Sequence, residues 1–131
     1  MPAVTIETRC RRSELDESEM IEAVHQALVH AFKIPAQDKG VRLIAHEPHR
    51  FACPPTKSQP ELFTLITIDA FAGRSVQAKR TLYRSIVDNL EALGIPGDHV
   101  TVLLREAPVE NWGLRRGQAA CDLELGFRIE V

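Results

Sequence analysis

The chain has 131 residues, 44% of them apolar and 26% charged, which fits one domain able to bury a core of its own. Its net charge of -2 argues against nucleic acid or an anionic membrane as the main partner, and no apolar run is long enough to span a bilayer. Cys10, Cys53 and Cys121 are scattered, and the five histidines show no zinc-site spacing, so the composition predicts reduced thiols in a cytoplasmic protein with no metal centre.

The N-terminus lacks the charged-then-apolar pattern of a secretion signal. It opens Met1-Pro2-Ala3-Val4-Thr5-Ile6-Glu7, with Val4 and Ile6 alternating with polar neighbours as in a half-buried strand. A small second residue lets an aminopeptidase remove Met1. Pro2 would then carry a free secondary amine, which is both base and nucleophile and titrates near about 8 when exposed. Ser13 precedes the acidic run Glu14, Asp16 and Glu17, which suits a helix N-terminus. Ile21, Val24, Leu28, Ala31 and Phe32 then recur at helical spacing over 14–32, and Pro35 ends that helix. A second strand is predicted at 41–46, and residues 48–61, with four prolines, as a linker loop.

The mostly apolar, β-branched run 62–68 reads as a central strand covered on both faces. Gly73-Arg74-Ser75 leads into a second helix, with Leu82, Ile86, Leu90 and Leu93 on one stripe and Gly94 closing it. Residues 100–105 form a fourth strand. The tail is apolar at every odd position from Cys121 to Val131, with polar residues or Gly126 between, so it reads as a strand with one greasy face. Such a strand is expected to pair with a neighbouring subunit, to cover a sheet face, or to fold back on its own chain.

The two halves repeat. Strand, Arg12-Ser13, helix, Ile34-Pro35, strand, Glu47-Pro48 is followed by strand, Arg74-Ser75, helix, Ile95-Pro96, strand, Glu106-Ala107-Pro108, displaced by roughly 60 positions. The chain is thus expected to be a single α/β (α+β) domain, a tandem βαβ duplication. Its first unit is 2–47, its second 62–106, and 107–131 form a C-terminal turn and strand. Right-handed crossovers put both helices on one face of a four-stranded sheet. An apolar face left bare on the other side implies oligomerisation.

These residues resemble the tautomerase superfamily, in particular its malonate semialdehyde decarboxylase-like group. The likeness runs from Pro2 to about Ala120. It is carried by Pro2 opening the first strand, Phe32-x-Ile34-Pro35-x-x-Asp38, His46-x-Pro48-x-Arg50, Gly73-Arg74-Ser75, and Trp112 followed by Gly117-Gln118-Ala119. The resemblance implies a homotrimer that uses no cofactor, with Pro2 at the floor of a pocket near a subunit boundary. It implies Pro2 as the catalytic amine and Asp38 as a carboxylate that orients or polarises the reacting group or a water. Arg74 would grip the substrate carboxylate, with Arg12 as a secondary contact, and Trp112 would be an aromatic wall. Three departures stand out. Ala72 occupies the place of a second arginine, Gly40 that of a bulky aromatic, and Gly113-Leu114-Arg115-Arg116 that of a small glycine-rich turn. Arg115 or Arg116 could return the missing charge.

The chemistry admits three readings. A proline flanked by arginines suits a general base that tautomerises a small 2-oxo or dicarboxylic acid, because the cations depress the amine and hold the anion. A cationic prolinium beside Asp38 suits decarboxylation or hydration instead. If Met1 stays, Pro2 is an amide and the chain is a non-catalytic ligand-binding trimer. Each residue also has a structural alternative: Asp38 as a turn residue, Arg74 as part of a loop capped by Ser75, Trp112 as core, and Arg115 as a solvated turn.

Overall fold

A computed structural model describes residues 2–131; Met1, and with it the question of its removal, lies outside the described residues. The elements in chain order are β1 (Pro2–Thr8), α1 (Glu14–Phe32), β2 (Val41–Ala45), β3 (Thr64–Phe71), α2 (Val76–Glu91), β4 (Val100–Ala107), β5 (Gly113–Leu114) and β6 (Gln118–Ala119). The main sheet runs β2-β1-β3-β4. β1 pairs parallel with β2, and β3 parallel with β4, so each half is a βαβ unit. The halves join through the antiparallel β1–β3 ladder, which runs from Pro2↔Ala70 to Thr8↔Thr64.

Both helices start where the sequence places them. Ser13 Oγ accepts from the Asp16 amide at 3.1 Å, and Ser75 Oγ from the Ala78 amide at 3.0 Å. These caps satisfy amides that have no partner inside the helix. Met20, Val24, Leu28 and Phe32 of α1 pack with Leu82, Ile86 and Leu90 of α2 against Val4, Ile6, Ile66 and Ile68 of the sheet. Replacing one of these buried leucines by alanine typically costs about 2–5 kcal/mol.

Four expectations are corrected. The strand foreseen at 62–68 begins at Thr64, because Pro60–Leu62 form a 3-10 turn, and it runs on to Phe71 along its partners β1 and β4. Within one chain it is covered on one face only: Ile66 and Ile68 are buried, while Leu65, Thr67 and Asp69 on the other face are half-buried. Leu93 lies beyond the end of α2 and is exposed, since the helix stops at Glu91 and Gly94 (φ +92°) turns the chain. The tail beyond Ala119 joins no ladder; it begins as a 3-10 turn and is then irregular. Its alternation is real all the same: Leu123, Leu125, Phe127, Ile129 and Val131 are half-buried while their neighbours are exposed.

The helix-free sheet face is mixed. Ile44 (43%) and Leu103 (50%) are exposed on it, beside a bidentate pair in which Arg105 donates to both Asp69 oxygens at 2.9 Å. No helix of the described residues is long and apolar enough to cross a membrane.

The long loop before β3 is pinned from below. The fully buried His99 donates from Nδ1 to Asp98 at 2.7 Å, and its Nε2 accepts from the Gln59 amide at 3.1 Å. The hydrogen bond from His99 holds the Asp98 carboxyl below its ordinary value of 3.8. A carboxyl depressed by folding stabilises the fold above its unfolded value, and that contribution is lost as pH falls through the lower folded one. Asp98→Asn keeps an acceptor for His99 but removes the titration. Urea midpoints followed between about pH 6 and pH 2 should therefore fall less steeply in the variant than in the wild type.

Candidate functional site

Antiparallel pairing decides which residues can meet. Pro2 begins β1, and its ladder partner Ala70 lies next to the end of β3, so Pro2 shares one end of the sheet with Phe71 and the turn to Arg74. Arg12 follows the opposite end of β1, where Thr8 faces Thr64. The repeat therefore sends its two arginines to opposite poles.

At the first pole the segment after α1 returns under Pro2. Gly40 accepts from the Val4 amide at 2.9 Å, and a Cβ on Gly40 would lie 3.3 Å from the Pro2 carbonyl oxygen. A side chain at this position would crowd the Pro2 carbonyl, and glycine lets β1 pack closely on this segment. Asp38 sits two residues earlier in a turn, its amide donating to the Pro35 carbonyl at 3.0 Å. A cavity of about 440 Å³ opens beside it, lined by Pro35, Gln37, Asp38 and Phe71 and closed by Leu114 and Arg115 of the β5–β6 hairpin and Leu125 and Phe127 of the tail. A larger groove of about 790 Å³ runs along the outside of α2, lined by Arg80, Tyr83 and Arg84, and contains none of the candidate residues. The smaller cavity is the better site because it alone combines a carboxylate, a guanidinium and apolar walls next to the Pro2 end.

Arg115 reaches that cavity from an unusual backbone. Arg115 (φ +46°), Arg116 (φ +71°) and Gly117 (φ +87°) are successive left-handed residues. Such a conformation costs about 1–2 kcal/mol for each residue other than glycine. Strain of this kind persists where the surroundings hold it and clusters at functional positions. Here Arg115 Nη1 donates to the Glu124 carbonyl at 2.8 Å, which ties the hairpin to the tail.

Arg74 is 5% exposed. Its Nη1 donates to the Phe71 carbonyl at 3.2 Å and its Cζ lies 4.7 Å from the Phe32 ring centre. Nε and Nη2 are buried without a hydrogen-bond partner. Burial lowers the pKa of the guanidinium, with Glu106 and Glu130 opposing the shift. Trp112 packs edge-on to Phe71 with centroids 5.1 Å apart, and its indole Nε1 is likewise buried without a partner. Two donor-only side chains therefore flank Phe71 with donors unused. Unsatisfied buried donors are uncommon and costly, and an anionic acceptor would relieve them.

The tail covers this region. The Ser75 amide donates to the Val131 carbonyl at 3.1 Å, and Ile129 lies over Gly73. Gly73 has φ +135°, and a Cβ there would come 2.9 Å from Ile129 Cγ2. Gly73→Ala should destabilise by about 1–3 kcal/mol in chemical denaturation. Adding Ile129→Ala should recover the steric part of that loss but not the backbone part.

Arg12 lines a separate cleft of about 230 Å³ with Asp16, Glu19, Met20 and Leu62. Its guanidinium donates to Met20 Sδ and to the Glu61 carbonyl, both at 3.4 Å. Burial lowers its pKa, against the neighbouring Cys10 and acidic groups. At this pole the position equivalent to Pro2 lies inside the chain, where the backbone nitrogen is an amide. Among the candidates, then, one chain places Asp38 and Arg115 in the cavity and puts Pro2, Arg74 and Trp112 around its Phe71 side, but leaves Arg12 apart. Sequence reasoning passed over Phe71, Leu114, Leu125 and Phe127 as walls. The tail's alternation was the available signal for the last two. Among the described residues no group of His, Cys, Asp and Glu is placed to hold a metal ion.

Comparison with known proteins bears on the family and the fold. The chain is 27% identical to the probable tautomerase YusQ of Bacillus subtilis (strain 168) over 123 residues, spanning 91% of this chain and 97% of that protein. It is similar in structure to malonate semialdehyde decarboxylase (26% identity, TM-score 0.82, 93% of this chain and 99% of that one), whose structures were related to decarboxylase and hydratase activities. The same fold is found in a fused 4-OT asymmetric trimer at 18% identity and TM-score 0.81, over 92% of this chain and 97% of that one. Residues 38–115, from the cavity's carboxylate to its guanidinium, match the family described as tautomerase enzyme, and the chain belongs to that family.

Proposed function

We propose that this tautomerase-type enzyme catalyses cofactor-independent keto–enol tautomerisation of a small oxo acid, as a cytoplasmic homotrimer, with Pro2 as general base once Met1 is removed. The observation that carries the reading is the cavity at the Pro2 end of the sheet, which holds Asp38 and Arg115 against apolar walls. Pro2 N takes the proton from the carbon next to the carbonyl and returns it to the enolate oxygen, which gives the enol and frees the amine again. Arg115 holds the substrate carboxylate, with Arg74 supplying its unused donors to the same anion or to the enolate oxygen. Asp38 sets the balance between free and protonated amine, and Trp112 keeps water from that side. The exposed Ile44 and Leu103 on the helix-free face support a trimer, as does the fold shared with the trimeric fused 4-OT. In such a trimer Arg12 would contact substrate only across a subunit boundary.

Decarboxylation or hydration is the second reading. It is favoured by Asp38 in the cavity and by the likeness to malonate semialdehyde decarboxylase. A pH–rate profile decides between the two. Activity that rises as an amine deprotonates supports the base, and activity lost on deprotonation supports the acid. Intact mass of the expressed protein tests the shared premise, since an amide at Pro2 supports neither.

A further inference from the structure

Asp38 is the one carboxylate among the described residues that line the cavity, and it sits on irregular backbone, in the segment that joins α1 to β2. The ends of that segment are fixed. Ile34 is buried in the core, and Gly40 accepts from the Val4 amide at 2.9 Å. Between these ends the backbone–backbone bonds among the described residues are internal: Asp38 donates to Pro35 at 3.0 Å and Lys39 to Gln37 at 2.9 Å. Such turns shape a segment but do not locate it on the domain. Side chains of α1 do that. His25, 2% exposed, reaches the Ala36 carbonyl through Nε2 at 2.7 Å. A carbonyl can only accept, so Nε2 carries the proton and donates. Glu22, three residues earlier and so on the same side of the helix, pairs with Lys39 and accepts from Gln26 Nε2 at 2.7 Å.

These two tethers bracket Asp38, one at Ala36 and one at Lys39, and they are unequal. Glu22 and Lys39 are both exposed, and an exposed ion pair holds its partners weakly. His25 is buried on a 19-residue helix, so its donor is held in place by packing. We infer that His25 is a positioning residue, whose hydrogen bond to Ala36 sets where the Asp38 carboxylate stands relative to the Pro2 amine. The inference rests on the proposed role of Asp38 and deepens it. A carboxylate near an amine favours the charged amine, and the effect falls off with separation. Without the tether the turn spreads over more positions, the carboxylate stands farther from Pro2 on average, and the amine holds its proton less firmly. That sign is the same whether Pro2 acts as base or as acid. Arg115 in the cavity and Arg74 beside Phe71 act on the amine in the opposite sense. They stay in place in every variant below, as do Glu22 and Lys39.

The test is the pH profile of kcat/KM on one oxo acid that the wild type turns over. In His25→Leu the limb set by the amine should move to lower pH by about 0.5, and in Asp38→Asn the same way and at least as far. His25→Gln keeps an N–H at similar reach and should undo most of the shift. The double variant His25→Leu/Asp38→Asn should match Asp38→Asn alone, because a tether has nothing to position once the charge is gone. A limb that stays put in His25→Leu, a glutamine that does no better than leucine, or a double variant that moves further than Asp38→Asn overturns the assignment. A limb unmoved in Asp38→Asn removes the role of Asp38 and the inference with it. If His25→Leu does not fold, His25→Asn, too short to reach the carbonyl, takes its place. Hydrogen exchange at the Asp38 and Lys39 amides reads the tether without chemistry. It should quicken about tenfold in His25→Leu and slow again in His25→Gln, and unchanged exchange also overturns the assignment. If Pro2→Ala is as active as the wild type, the proposed chemistry fails, and the exchange pattern then decides the tether on its own.

Discussion

Pro2→Ala should lower kcat/KM by about 10²–10⁴, the range that a positioned general base contributes, with little change in thermal midpoint. Pro2 has no amide proton to donate to the β1–β3 ladder, so alanine there breaks no backbone hydrogen bond. The replacement still leaves a terminal amine once Met1 is removed, though a primary and less confined one. A chain extended by an uncleavable N-terminal residue is the sharper comparison, because it turns the same nitrogen into an amide and leaves no base at that position. The expected order of activity is wild type, then Pro2→Ala, then the extended chain at the uncatalysed rate. Initial rates on one oxo acid at several pH values measure it. Equal activity in the extended chain and the wild type would remove the terminal amine from the mechanism whatever the substrate. Because Pro2 is buried at the end of β1, an extension could also disturb the fold. Comparing the circular dichroism and oligomeric state of the extended chain with those of the wild type separates that cause from loss of the base.

Much of this arrangement can be read from the residues. The repeat of Arg-Ser, helix and Ile-Pro gave two βαβ units, and period and capping placed α1 at Glu14–Phe32 as found. Local chemistry determines those features. What stayed hidden depends on contacts between distant segments. β3 runs to Phe71 because β1 and β4 supply partners that no local pattern announces. The tail has the alternation of a strand but pairs with neither edge strand of the sheet, β2 or β4. Its apolar side instead packs beside the cavity and over Gly73. Arg12 and Arg74 look equivalent in the repeat, and only the antiparallel β1–β3 register shows that they serve opposite poles. The apolar character of the site was hidden for the same reason, since its walls come from the segment after α1, β3, the hairpin and the tail.

Arg74→Met should separate function from stability. A buried charge is costly to desolvate, and among the described residues Arg74 makes one hydrogen bond, to the Phe71 carbonyl, with Nε and Nη2 unused. Glu106 and Glu130 act on it as charges, but neither forms an ion pair with it among the described residues. Methionine fills similar volume, keeps a contact with the Phe32 ring, and removes the desolvated charge. The folded protein should therefore keep its stability or gain about 1–3 kcal/mol, read from urea unfolding at neutral pH. Catalysis should move the other way. An arginine that grips a carboxylate or enolate oxygen in a water-poor site is worth a few kcal/mol of transition-state binding, so kcat/KM should drop by about 10²–10³. A purely structural arginine predicts the reverse pair of results: lower stability, and activity that falls only as far as the folded fraction does. Arg74→Lys sharpens the distinction. It keeps the charge but loses the planar fork, so a bidentate contact to the substrate would be recovered only in small part, whereas a simple need for positive charge would be met. The unused donors on Arg74 thus become a measurable trade: stability given up in the empty enzyme and recovered when an anion binds.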